Sequence, residues 1–357
     1  MTDTATDLLS TSPSTAEDRR RLARRHFLRT TGRMTAAAGG LALLSACGGS
    51  GDGSTDTSTP TPTPTSTDTS AIINADALNL ALNFAYLQAQ FFTFATTGAG
   101  VAAVPDSNTP AGQTDGKPKK GAYPGGGAAL LTGTGQQGTV TGGRAVSFAD
   151  PLIAQYAREI AADDLAHLAF LRSALGSSAV AMPSLNIDGG ASGAFSTFAR
   201  AAGYVASGVA FDPYASDLNF LLAAFIFKDV AVTAYKGVAT LLTSTLTLDA
   251  AAGLLTTQAY HAALIRTTLY TLGQGTAAGQ FSNARDAFDG SVDIDQGITG
   301  TATTANIVPA DAQGRVYTRT AGQVLNVAYQ NSAAVTSGGF FPAGANGNIK
   351  TSAASNA

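Results

Sequence analysis

The sequence predicts an all-α four-helix bundle with a long insertion after its first helix and an irregular C-terminal extension. Three observations lead there. Four segments beyond residue 72 repeat apolar residues at steps of three and four, which gathers them on one helix face. Only 13% of the 357 residues are charged and 40 are Gly, which suits closely packed helices joined by neutral loops. Two histidines, His167 and His261, fall on the inward faces of two of those segments.

Residues 1–46 read as an export signal. Seven Arg lie between residues 19 and 33, and an apolar run, MTAAAGGLALLSA, follows from Met34 to Ala46. A charged stretch followed by a 7–15-residue apolar one is a signal-peptide pattern, too short to span a bilayer as a stable anchor. Arg24 and Arg25 followed by Phe27 and Leu28 resemble the twin-arginine signal. The run ends in Leu44-Ser45-Ala46-Cys47-Gly48, which resembles a bacterial lipobox whose Cys is acylated. Cys47 is the chain's one cysteine, so intramolecular disulfides are excluded and lipidation explains its presence. A multiply acylated Cys anchors firmly, at about 0.8 kcal/mol per buried CH₂. The expected location is the periplasm, tethered by lipid. Gly48 lacks the acidic character that retains lipoproteins at the inner membrane, which favours the outer one. Residues 47–71 combine that Cys with a Ser/Thr/Pro/Gly tract that has nothing to bury and reads as a disordered linker.

The bundle is expected over residues 72–278. Its first helix spans about 74–97, with Leu78, Leu82, Ala85, Ala89 and Phe92 on one stripe. The second spans about 147–175, where Ile153, Ala157, Ile160, Asp164, His167, Leu168 and Leu171 share a face. The third, about 213–243, aligns Leu221, Phe225, Lys228, Val232, Tyr235 and Leu242. The fourth, about 248–272, aligns Leu254, Gln258, His261, Ile265 and Leu269. Alternating steps of three and four give the seam of a four-helix bundle. The Gly-rich stretch 98–146, with PGGG at 124–127, is a candidate β-hairpin. Residues 176–212 are a crossover with a short helix near 194–205. Residues 279–357 read as a mostly irregular extension packed on the bundle, with a short helix near 323–334 and a packed loop at 337–344.

The segments ALNFAYLQAQFF, YAREIAADDLAHLAFLRSALG, FDPYASDLNFLLAAFIFKDVAVTAYKG, AYHAALIRTTLY and ARDAFDGSVDIDQGIT resemble ferritin-like proteins related to plant desiccation-response proteins. The resemblance covers roughly residues 72–357 and implies a ferritin-like bundle. In di-iron members, two helices each give one Glu and two each give Glu-x-x-His, all pointing inward. Residues i and i+3 share a helix face, so both side chains reach one metal pair. Here the second helix carries Asp164 and His167, and the fourth carries Gln258 and His261. The third has Lys228 where a Glu belongs. On the first, Ala85 takes the position, with Gln88 as the alternative register. The chain has two Glu, Glu17 and Glu159. Glu17 leaves with the signal, and Glu159 lies about 140° around the helix from Asp164. A four-carboxylate site cannot be assembled. Asp164 and Lys228 are expected to neutralise each other in a hydrogen-bonded cluster with Gln258, His167 and His261. No metal or cofactor is expected. The alternative is one iron or zinc on Asp164, His167 and His261, a donor set that suits a non-haem iron oxidoreductase.

Other function classes lack their residues. Removing 1–46 takes away seven Arg and four acidic residues and leaves 14 basic against 20 acidic, a formal charge of −6. That provides no basic face for nucleic acid. No Gly-x-Ser-x-Gly elbow or Cys-His pair suggests hydrolysis, and the glycine clusters do not open a helix in a β-α-β unit. Tyr86, Tyr235 and Tyr260 read as packing residues. The expected role is non-catalytic: an envelope protein with a structural, stress-associated or interaction function. Its partners would be the membrane, through its lipid, and other envelope proteins.

Overall fold

The first helix, α1, runs Ser66–Thr97, beginning two residues after Pro64 in the sequence. The computed structural model describes residues 66–106, 123 and 125–355. Arg24, Arg25, Phe27, Leu28 and Cys47 lie outside those residues, as does the linker as far as residue 65. Residues 66–71, expected in the linker, belong to α1 instead.

The other bundle helices are α2 (Pro151–Leu175), α4 (Asp217–Ala239) and α5 (Thr245–Thr271). Between α2 and α4 the crossover holds the short helix α3 (Ala194–Ala201). Local chemistry sets the starts. The Asp150 carboxylate caps α2 by accepting from the Leu152 N–H, with Pro151 at the first helical position. Ser216 caps α4 and Ser244 caps α5 in the same way. Asp217, at the start of α4, also accepts from the backbone N–H of Ala149 and Asp150, which fixes the entry of α2 beside that of α4. α1 packs chiefly on α2, and α4 on α5. α4 is the core helix: Phe220 through Thr233 are buried without a break. It is long and apolar enough to cross a membrane, but 83% of its most apolar stretch is covered by the rest of the fold.

The expected hairpin is not found among the described residues of 98–146. The strand β1 (Val140–Gly142) pairs in parallel with β2 (Leu185–Ile187) from the crossover. The glycine run at 125–127 begins one turn of helix, Gly126–Ala129, rather than a hairpin loop. Gly127 is required by crowding: a Cβ there would stand 1.6 Å from the Val101 carbonyl oxygen.

The larger departure lies beyond the bundle. Residues 275–289 form a helix, α6 (Gly275–Asp289), where irregular chain was expected from 279. Gly275 and Gly279 and a weak apolar stripe hide it from periodicity. α6 is held by tertiary bonds. Its Arg285 is fully buried and pairs with Asp229 of α4 at 2.9 Å and with Asp295 at 2.6 Å. Arg266 of α5 joins Asp229 at 2.7 Å. Arg319 reaches Asp289 at 2.5 Å and also bonds Asp295. The last helix, α7 (Ala321–Tyr329), opens with a capping box between Thr320 and Gln323. Phe340 and Phe341 then pack on Phe227 and Phe84 at ring distances of 4.9 and 5.4 Å. Asn83, wholly buried in α1, donates to the Asn346 carbonyl and accepts from the Asn346 N–H.

Candidate functional site

A lysine stands at the centre of the bundle. Lys228 is 0% exposed, and its Nζ lies 2.6 and 2.8 Å from the two oxygens of Asp164. Its other acceptors are Gln88 Oε1 at 2.8 Å and Gln258 Oε1 at 3.1 Å. The Phe92 ring lies 4.7 Å from the ammonium, a favourable cation–π distance. α1, α2, α4 and α5 therefore each contribute to one polar knot. Burial pulls the Lys228 pKa below the ordinary lysine value, and the adjoining Asp164 carboxylate opposes it.

The Gln258 amide orders the next layer. With its oxygen on Lys228, its nitrogen donates to Asp164 Oδ1 at 3.2 Å and faces His167 Nδ1 at 3.2 Å. His167 thus accepts at Nδ1 and carries its proton on Nε2. Burial lowers the His167 pKa to about 4; Asp164 and Asp163 oppose the shift, while Lys228 and His261 add to it. The imidazole is neutral in the fold, whereas an unfolded chain protonates it below about pH 6.5. Its contribution to stability is therefore complete above that pH and is lost as the pH falls toward about 4, with an upper bound of about 3 kcal/mol. Urea unfolding across this range should show that acid-side slope, and His167→Gln should flatten it.

Two expectations need correction. Gln88 supplies the α1 contact. Ala85, one turn away, is buried but has no polar side-chain atom to offer. His261 does not join the knot: its Nε2 lies 3.1 Å from Asp163 Oδ2, and its ring centre is 6.4 Å from that of His167. Asp163 was missed because its neighbour Asp164 occupies the inward stripe. One residue earlier on a helix points about 100° away, here toward α5. Glu159 is exposed, as its angle requires. Tyr86 and Tyr235 are buried, but Tyr260 is 74% exposed and does not pack in the core.

Residues 73–271 match the sequence pattern of the ferritin-like domain. The chain belongs to the ferritin-like domain family. A 293-residue stretch is 26% identical to the ferritin-like catalase Nec2 of Nesocodon mauritianus, covering 77% of this chain and 84% of that relative. A 60-residue stretch is 43% identical to the desiccation-related protein PCC13-62 of Craterostigma plantagineum, covering 17% of this chain and 19% of that one. No solved structure matches the chain.

The residues of this ferritin-like bundle do not fit a di-iron centre. Such a centre needs inward carboxylates to offset the metal charge. Here an ammonium occupies the middle, both oxygens of the inward Asp164 lie on it, and the amides of Gln88 and Gln258 complete its shell. The alternative set of Asp164, His167 and His261 does not converge either. Asp164 bonds Lys228, His167 Nδ1 faces Gln258, and His261 faces Asp163.

Proposed function

We propose that this chain is an exported, lipid-anchored ferritin-like protein that has exchanged the family's metal for an internal ion pair and serves the cell envelope without catalysing a reaction. The observation that carries this reading is the Lys228–Asp164 pair at 2.6 Å in the bundle centre. A dication there would have to displace a buried ammonium and would find a single inward carboxylate, Asp164, to offset its charge. The relative named as desiccation-related supports a stress-associated role, and Cys47 with the tract after it supports a tether to a membrane.

Metal analysis of protein purified from its own envelope should find far less than one iron or zinc per chain, and the protein should release no oxygen from peroxide. About two irons per chain, or peroxide breakdown that tracks metal content, would overturn the proposal; the relative named as a catalase makes that assay the informative one. A Gln88→Glu, Lys228→Glu, Gln258→Glu variant should bind more iron than the parent chain. For the anchor, fatty-acid labelling and fractionation should place the parent chain in the membrane and Cys47→Ser outside it. Lys substitutions at Arg24 and Arg25 should block export.

A further inference from the structure

We infer that the last turn of α6 and the segment after it form a binding site for a hard divalent cation, with Asp286, Asp289 and Asp295 as its protein ligands and calcium as the ion it best suits. One donor atom from each of the three carboxylates lies within 4.8 Å of the others. Donors bound to one Ca²⁺ at about 2.4 Å stand at most about 4.8 Å apart, and Ca²⁺ accepts irregular, partly hydrated carboxylate sets where Mg²⁺ demands a near-ideal octahedron.

Two further observations point to a missing positive charge. Asp289 is 1% exposed, and while its Oδ2 accepts from Arg319, its Oδ1 is buried without a hydrogen-bond partner. Asp286 Oδ1 is in the same condition. A buried carboxylate oxygen left unpaired is costly, and two of them lie in one turn. Charge gives the second observation. Asp229, Asp286, Asp289 and Asp295 are four carboxylates against the guanidinium groups of Arg266, Arg285 and Arg319. One negative charge remains among them, and the exposed Asp293 beside Asp286 adds another at the rim.

The arginines do not close the site. Each carboxylate oxygen has two acceptor positions, so Asp295 can hold Arg285 and Arg319 and still face an ion. Asp286 is only half-buried, which leaves a path for the ion and for the waters that would fill its remaining positions. Bound there, the ion would clamp the end of α6 to the segment leading to Arg319.

The test uses the full chain after treatment with EGTA. Calorimetric titration should show one Ca²⁺ bound per chain. The melting temperature should rise by about 4 °C at a hundredfold excess of Ca²⁺ over its Kd, and Mg²⁺ at the same concentration should do much less. Asp286→Asn, which leaves the buried arginine pairs in place, should abolish both responses. Glu159→Gln, an exposed change elsewhere, should keep them. An unchanged melting temperature with no heat of binding in the parent chain would overturn the inference. So would an Asp286→Asn variant that still responds.

Discussion

Replacing Lys228 with Met is expected to lower the unfolding free energy by about 3–5 kcal/mol. Methionine keeps most of the stem's volume, so a cavity contributes little. The loss comes from Asp164, left 1% exposed with the Gln258 amide nitrogen at 3.2 Å as its remaining short contact in the knot. The carbonyl oxygens of Gln88 and Gln258 lose their donor as well. A second substitution separates this account from a packing defect. Lys228→Met with Asp164→Leu removes both charges together and should recover most of the loss, because a buried ion pair contributes little net stability beside an apolar replacement. Urea denaturation followed by circular dichroism measures both variants. A single variant that costs under about 1 kcal/mol would mean that Lys228 does not balance a buried charge on Asp164.

Arg285→Met is expected to be comparably severe, again about 3–5 kcal/mol. Its Nε bonds Asp295 at 2.6 Å, one terminal nitrogen bonds Asp229 at 2.9 Å, and the other donates to the Phe225 carbonyl at 3.1 Å. The guanidinium carbon also lies 4.4 Å from the centre of the Phe225 ring. Arg266 still holds Asp229 and Arg319 still holds Asp295, which keeps the loss from being larger. Arg285→Lys should rescue little, since an ammonium cannot reproduce a planar fork aimed at two carboxylates and a carbonyl. The same denaturation series decides it. Protease cleavage near α6 should rise in step with the stability loss, because Arg285 is the side chain that joins α6 to Asp229 of α4.

The bundle was legible because its helices announce themselves by period. The stripe through Ile153, Ala157, Ile160 and Asp164 is buried as the spacing requires, and Lys228 falls on the corresponding stripe of α4. The Lys228–Asp164 pair could be read from the sequence because each is the charged residue on an otherwise apolar inward face. Gln88 could not be chosen over Ala85 by period alone, since both lie on the inner side of α1 and only the reach of a side chain distinguishes them. The network of Asp229, Arg266, Arg285, Asp289, Asp295 and Arg319 was not legible. Its members come from α4, α5, α6 and the segments after it, and no local period brings them together. α6 was missed for the same reason: what holds it is long-range ion pairing, and local propensity says little about that. One signal was available, since Arg266 follows Ile265 on an inward-facing stretch of an apolar helix, where a solvated arginine would be out of place.

The mutual bonds between Asn83 and Asn346 also constrain the order in which the molecule can be completed. The two residues are 263 positions apart, so the joint closes a loop that takes in nearly the whole folded chain. During synthesis from the N-terminus, α1 exists long before residue 346 has been made, and until then the Asn83 amide has neither of its Asn346 partners. Contacts of such sequence separation form slowly. The last step of maturation should therefore be the docking of the tail onto α1, and a chain cut short before residue 346 should keep its helices yet leave the Asn83 side-chain oxygen without its Asn346 donor, while the amide nitrogen keeps the Asn79 carbonyl.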